Sequence, residues 1–282
     1  MCTPGLRELK RSRPNSKIVF YAPHHEVLEG LEYIDELRPF AERPDDSLWL
    51  NYETGGHPRS HIARVFGNQL GIAIEDVRPD CIVVQPLRDQ FRLKWAALPR
   101  PWITINRRAS SWTPNKDWPD EYWRKLIERL DGRCGLIEVG WPRDGCSEIG
   151  GSTYVNLVGQ TNTVELVAAI AACDLHVGPI SGPVHIAAAS RRPSVVIYGG
   201  YEPPACTMYE GNRALYSTVE CSPCWLTKPC PYEKRCLTMI DIEEVVGAIR
   251  ETWNSISSYS QCNAYSDDGG PSFRRMPEPD SG

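Results

Sequence analysis

The stretch from Cys173 to Pro204, CDLHVGPISGPVHIAAASRRPSVVIYGGYEPP, limits what this chain can fold into more than any other. An apolar run, Leu175–Gly178, enters a turn rich in Gly, Pro and Ser. A short small-residue helix comes next, from Pro183 to about Ser190, and a second apolar run, Ser194–Tyr198, ends in Gly199-Gly200. Strand, turn, helix and strand in this short compass is a crossover unit of a parallel sheet. Pro183 suits the first helical position, and Ser181 or Gly182 suits the cap before it. The unpaired N–H groups at such a helix start attract anions, phosphate above all. His185 falls in the first turn, beside that anion site.

The rest of the chain repeats the alternation. Residues 3–12 read as a helix and Lys17–Ala22 as a buried strand that ends at Pro23-His24-His25. Val27–Leu31 and Ile34–Leu37 are short segments. Ser47–Tyr52 reads as another strand, His61–Leu70 as an amphipathic helix ended by Gly71, and Cys81–Val84 as a strand closing this half. Leu98–Pro101 is a stiff linker with Pro on both sides of Arg. Trp102–Asn106 then opens a second alternation, with helices at 119–130, 163–172 and about 242–252 and a strand at Cys134–Val139. Residues 256–282 are rich in Ser, Asp, Gly and Pro and are expected to be mostly disordered. The pattern predicts an α/β protein of two Rossmann-like halves: 1–97, 98–255, and a tail 256–282.

Charge and cysteine content narrow the compartment. The chain of 282 residues carries 31 Lys and Arg against 36 Asp and Glu, a net charge of -5, which argues against bulk attraction to nucleic acid or anionic membrane. No apolar run approaches the roughly 20 residues that span a bilayer. The start, MCTPGLRELKRSRP, has no apolar signal-peptide core, so a cytoplasmic protein is expected, at most peripheral to a membrane. Four of the eleven cysteines cluster at Cys221, Cys224, Cys230 and Cys236. Four thiolates hold zinc or iron tetrahedrally, as a structural site. Reduced thiols packing a loop fit the same spacing, since its last two intervals are five residues each.

Several pieces resemble glycosyltransferase family 9, whose known members include the lipopolysaccharide heptosyltransferases. Ile103–Asn106 with Lys116-Asp117-Trp118-Pro119 looks like the family's strand and Lys-x-Trp-Pro loop. Ser181-Gly182-Pro183-Val184-His185-Ile186-Ala187-Ala188-Ala189 looks like its Ser/Thr-Gly-x-x-His-hydrophobic-Ala-Ala signature. Ser194–Gly199 resembles the family's next strand, which ends in Gly, and the cysteine segment resembles its late cysteine segment. Weaker similarity runs from Thr3-Pro4 through Lys17–Ala22 to Gly71. The resemblance implies a GT-B fold, two Rossmann-like domains facing a cleft, with the donor nucleotide-sugar on the C-terminal one. It implies an inverting transfer to an acceptor hydroxyl that needs no cofactor. The acceptor stays open: a glycan, lipopolysaccharide core, a protein, a small molecule or a modified base. So does homo-oligomerisation. Two departures stand out. Ile180 occupies the place of an acidic residue that precedes the Ser/Thr-Gly pair in the family. The family's opening strand and Gly-Asp loop, whose acid is the implied base, have no counterpart before Thr3-Pro4, so the N-terminal domain is expected to be reduced. A binding protein that has lost its base is the alternative to an enzyme.

The expected donor-binding set is Lys116, Arg107, Ser181, Gly182, Pro183 and His185. A solvated lysine and a histidine capping its own turn are the plain readings of Lys116 and His185. His24, His25 and Glu53 come after first-half strands and are the replacement base candidates, since His suits proton transfer at neutral pH. Tyr201 and Glu202 come after strand 194–198, where they either meet the donor or form an ordinary loop.

Overall fold

The computed structural model describes residues 1–52, 56–109, 113–141 and 149–264. Its larger sheet has six strands: β3 (Trp102–Ile105), β4 (Gly135–Glu138), β5 (Tyr154–Asn156), β6 (Leu175–Pro179), β7 (Ser194–Gly199) and β8 (Arg213–Tyr216). All pairings are parallel, in the order β5-β4-β3-β6-β7-β8. The order reverses between β3 and β6. In open α/β sheets that reversal leaves a crevice outside the carboxyl ends of the strands, where ligands bind. β3 leads there into Asn106 and Arg107, and β6 into Ile180 and Ser181.

Alternation along the strands divides the core between the two sheet faces. Ile103 and Ile105 join Trp118, Trp123, Leu126, Ile127 and Leu130, together with Val245 and Ile249. Trp123 to Leu130 lie on α4 (Asp120–Leu130), and Val245 and Ile249 on α8 (Ile242–Ala264). On α4 the apolar residues recur three and four apart, with Asp120 and Glu121 in the first turn as the helix dipole favours. Trp102, Ile137 and Val139 pack with Leu166, Ala169 and Ile170 of α5 (Thr163–Ala172). A capping box of Asn162 and Glu165 starts that helix. α6 (Gly182–Ala189) adds Ala187 to this face. α3 (Gln85–Lys94), a helix the sequence pattern does not announce, lies along α5, with Phe91 and Trp95 in the same cluster. A one-turn helix, α7 (Arg235–Thr238), precedes α8.

The smaller sheet pairs β1 (Val19–Ala22) with β2 (Glu36–Pro39) in parallel, Val19 opposite Glu36. α1 (Thr3–Ser12) and α2 (Ile62–Gln69) pack together beside it. Two expected strands are absent among the described residues. Ser47–Tyr52 is irregular, with Leu48 and Trp49 exposed; the Gln69 side-chain amide takes both backbone groups of Asn51, at 3.2 and 2.5 Å, where a neighbouring strand would sit. Cys81–Val84 forms no ladder: Ile82 N–H bonds Val27 O at 2.8 Å, while Val84 O already accepts from Arg88 N–H of the following helix at 3.1 Å. At the other end α8 continues to Ala264, past the expected start of the tail at 256, because Trp253 and Ile256 still pack on the core. Residues 265–282 lie outside the described part. No described helix is long and apolar enough to cross a membrane.

Candidate active site

A cleft of about 450 Å³ opens at the reversal point of the large sheet. The end of β3 supplies Asn106, Arg107 and Arg108, the end of β4 supplies Glu138 to Trp141, and the start of α6 supplies Ser181, Gly182 and Pro183. Thr163 and Leu166 of α5 complete that side, and His24 reaches in from the N-terminal half. Its Nδ1 lies 3.5 Å from Thr163 Oγ1.

The floor of the cleft is wired into the sheet by a buried polar chain. His176, the second residue of β6, is fully buried, with Nε2 3.1 Å from Asn106 Oδ1 and Nδ1 3.0 Å from Thr104 Oγ1. An amide oxygen only accepts, so Nε2 carries the proton and Nδ1 accepts from the Thr104 hydroxyl. Burial pushes the His176 pKa down to about 3, so the ring is neutral at pH 7. The Asn106 amide then donates to Arg108 O at 2.7 Å and to Ser181 Oγ at 3.2 Å, while Ser181 Oγ donates to Pro179 O at 3.1 Å. Gly178 makes the crossing geometrically feasible: a Cβ there would stand 2.1 Å from Asn106 Oδ1. The sequence places His176 within an apolar run and gives no local sign of this chain.

The expected donor set divides. Arg107, Ser181, Gly182 and Pro183 line the cleft; Lys116 and His185 do not. Arg107 is buried and balanced by Glu138 at 2.8 Å and Asp120 at 3.2 Å, and Glu138 also accepts from Tyr154. Arg108 pairs with Asp120 at 2.6 Å. His185 turns to Tyr209, Nδ1 to hydroxyl 2.8 Å. Burial, then nearby positive charge including Lys116 and His61, holds it well below the ordinary histidine range. His61 itself, N-cap of α2, lies edge-on to Tyr209 at 5.2 Å, its Nδ1 accepting from Ala63 N–H at 3.2 Å. Its Nε2 is buried without a partner, and burial lowers its pKa to about 4.

Lys116 faces a second cavity of about 250 Å³, lined by Tyr52, His57, Pro58, Tyr201, Glu202, Trp225 and Thr227. Its Nζ lies 3.2 Å from Glu202 Oε2 and 4.6 Å from the centre of the Tyr201 ring. Tyr201 and Glu202 thus take a place the sequence left open, and His57 and Trp225 are residues it did not single out.

Of the base candidates, His24 faces the cleft, and Glu53 lies outside the described residues. His25 Nδ1 is buried without a hydrogen-bond partner, 3.8 Å from Glu26. Burial raises the Glu26 carboxyl, but bonds from its own backbone N–H and from Thr163, with His24 and His25 close by, outweigh this and hold it below the usual range.

The cysteines do not converge as ligands. Cys221 is exposed and Cys224, Cys230 and Cys236 are half-buried. Burial, reinforced by the other thiols of the cluster, raises the pKa values of Cys224 and Cys236, which favours protonated thiols. Among the described residues no group of three or more His, Cys, Asp or Glu side chains is arranged to hold a metal ion.

The chain is 28% identical over 134 residues to lipopolysaccharide heptosyltransferase 1 of Pseudomonas aeruginosa, covering 44% of this chain and 36% of that one. It is 37% identical over 117 residues to lipooligosaccharide heptosyltransferase 2 of Haemophilus influenzae, covering 38% and 34%. It therefore spans about a third of the length of these curated relatives. Its structure superposes on the dodecameric iron-containing heptosyltransferase TibC of Escherichia coli, solved in complex with ADP-D-beta-D-heptose. The TM-score is 0.68 at 16% identity, over 91% of this chain and 74% of that one, so the two share the GT-B fold. The sequence profile of glycosyltransferase family 9 (heptosyltransferase) matches residues 61–235, more than half of the chain, and the chain belongs to that family.

Proposed function

We propose that this protein transfers a sugar from a nucleotide diphosphate-sugar to an acceptor hydroxyl, with inversion at the anomeric carbon. The observation that carries the reading is the cleft itself, at the reversal point of a parallel sheet, with the start of α6 fixed by the Asn106–Ser181 bond. Gly182 offers a backbone N–H there and no side chain to obstruct a phosphate. Negative charge grows on the diphosphate as the glycosidic bond breaks, and donors already held in place stabilise it without reorganisation. The apolar lining from Val139, Trp141, Val158, Leu166 and Ile186 suits the nucleoside. A heptose donor carried by ADP is the first to test, because the relatives are heptosyltransferases and the TibC complex holds that compound.

In this reading the half up to residue 97 is the acceptor side and the half from 98 is the donor side. His24 closes over the bound donor at the Thr163 end of the cleft. Arg107 shapes the wall through its pairs with Glu138 and Asp120. Lys116 contributes where the diphosphate approaches the second cavity. The reaction takes place in the cytoplasm, and no metal has a part in it. A second reading, donor binding without transfer, is favoured by Ile180, which is buried against Val184, Val196 and Tyr198 and brings no carboxylate to the α6 turn.

Isothermal titration with ADP, UDP and GDP, with assays of the matching nucleotide sugars afterwards, separates the two. A nucleoside diphosphate that binds wild type, and binds at least about tenfold more weakly to Asn106→Asp, is the result expected from placing a carboxylate near the phosphate site. If none of the three binds, both readings fall. Binding without transfer or hydrolysis of any donor selects the second.

A further inference from the structure

We infer that Tyr209 is a positioning residue of the donor site: its hydroxyl holds the His185 ring in one orientation with the ring proton on Nε2, and the N-terminal half of the chain seats Tyr209 for that task. The use of this N–H rests on the transferase reading; the geometry around Tyr209 does not.

His185 Nδ1 and the Tyr209 hydroxyl are 2.8 Å apart, and the two rings meet edge-on, 5.7 Å between centres at 90°. Two proton arrangements fit that distance. Tyr209 is 3% exposed, and among the described residues its hydroxyl has no other partner. With the proton on Nδ1, the phenol would accept it, and its own O–H would stay buried without an acceptor, at the cost of a desolvated donor. The phenol therefore donates. Burial pushes the Tyr209 pKa well above the phenolic range, so the group keeps the proton it shares. Nδ1 accepts, and Nε2 carries the proton of the neutral ring. That Nε2–H has no hydrogen-bond partner among the described residues.

His185 is the fourth residue of α6, one turn on from Gly182. Side chains at such positions lean back toward the start of their helix, so the ring stands beside the first turn. Gly182 faces the cleft on one side of that turn. Lys116, at the second cavity, is close enough on the other for its charge to be felt at His185. A diphosphate that runs from Gly182 to Lys116 passes the imidazole. A ring whose Nδ1 is held by a phenol offers its N–H to phosphate oxygen without reorganisation. A ring free to change tautomer would also present a lone pair, which repels the same oxygen.

The loop that carries Tyr209 is gripped by the N-terminal half at three points. The Cys206 thiol donates to Pro58 O at 3.3 Å, the His61 ring stands edge-on to Tyr209 at 5.2 Å, and Arg78 pairs with Glu210 at 3.6 Å. The Arg78 pair is largely exposed on its acidic side and contributes little. His61 and Cys206 are buried, and His61 is itself fixed as the N-cap of α2. The phenol that orients a donor-side group is thus packed in place by the opposite half.

The test reads the ring nitrogens directly. With 15N-labelled histidine, long-range proton–nitrogen correlation spectra of the full chain report the tautomer of each of the six histidines, and His185→Gln assigns the signal. His185 should show a pyridine-type Nδ1 and a pyrrole-type Nε2 in wild type. Tyr209→Phe, which keeps the ring against His61 and removes the hydroxyl alone, should show a mixed or reversed pattern. Titration with ADP, UDP and GDP follows, and the nucleotide that binds wild type should bind Tyr209→Phe about tenfold more weakly, the share of one hydrogen bond. Circular dichroism and thermal melting report whether the variant is folded; if it is not, the wild-type tautomer still decides. A pyrrole-type Nδ1 or a mixture in wild type overturns the inference. So does a folded Tyr209→Phe that keeps the wild-type tautomer or binds the nucleotide as tightly as wild type. The tautomer is read with no ligand present, so a failure of the donor reading registers separately, as a wild type that binds none of the three nucleotides.

Discussion

Asn106 and Ser181, 75 residues apart in the chain, meet at 3.2 Å where β3 and β6 diverge. Through that contact the buried His176 sets the orientation of the first turn of α6. The amide has no freedom left: its oxygen accepts from His176 and its nitrogen serves Arg108 O as well as Ser181. Asn106→Ala leaves the His176 Nε2–H and the Arg108 carbonyl without their partner, at a cost of roughly 1–3 kcal/mol. Urea denaturation measures that cost. Nucleoside diphosphate affinity should fall with it, and unchanged affinity in Asn106→Ala would separate the network from the site.

Gly178→Ala attacks the same network from the backbone. The added methyl stands 2.1 Å from Asn106 Oδ1 and 3.0 Å from His176 Nε2, so the amide must leave its position. Overpacking of this kind costs roughly 1–3 kcal/mol. Because both groups it displaces belong to one network, Gly178→Ala and Asn106→Ala combined should cost clearly less than the sum of the two. Full additivity in denaturant melts contradicts the coupling.

The opening strand–turn–helix–strand of Cys173–Pro204 was legible because each of its parts has a local signature: apolar runs, Pro183 at the helix start, a small-residue helix and a glycine pair. The residue that wires it to the rest was not. His176 sits where a strand alternates within an apolar run, and only its partners Thr104 and Asn106, about seventy residues earlier, reveal its purpose. The same limit explains Lys116 and His185. Their places in the family-like loop and helix suggested one cluster with Ser181, whereas Glu202 and Tyr209, which determine where they point, lie on loops with no recognisable pattern. Ser47–Tyr52 has strand composition, but a strand also requires a neighbour, and Gln69 supplied the hydrogen bonds instead.

Acid should destabilise the fold through three histidines, His176, His61 and His185, each held below the ordinary histidine range by burial. The His176 pKa lies at about 3 and that of His61 at about 4, against an ordinary 6.5. Between those limits the unfolded chain binds more protons than the folded one, so stability is full above pH 6.5 and is lost as pH falls. Inside the window each ring contributes a slope of roughly 1.4 kcal/mol per pH unit. Denaturation at intervals from pH 7 to about 4.5 reads the combined slope. His61→Gln should flatten it by one histidine's share, and an unchanged slope removes His61 from the account.

Thiol accessibility checks the cysteine segment. With no converging ligand set among the described residues, Cys221 should react with an aromatic disulfide reagent first, as the exposed member. Cys224 and Cys236 should react more slowly, because burial and mutual repulsion keep them protonated. A chelator should leave the melting temperature unchanged. Four thiols protected together, and released together by a chelator, would instead establish a metal site.

Lys116 and Glu202 form a pair whose side chains are 15% and 4% exposed. Removing one partner of such a pair strands the other charge in the interior, which costs roughly 3–5 kcal/mol. Lys116→Met alone should therefore lower stability and transfer together, and that result could not distinguish packing from chemistry. Lys116→Met with Glu202→Leu removes both charges and should recover most of the stability, since replacing a buried pair by apolar groups is often neutral. Transfer is the deciding measurement. If Lys116 steadies the diphosphate as negative charge develops there, the double variant melts near wild type and yet stays low in kcat, by about 10²–10³-fold for a lost electrostatic donor. If the pair only shapes the cavity wall, kcat returns with stability and the loss appears in the KM for the acceptor.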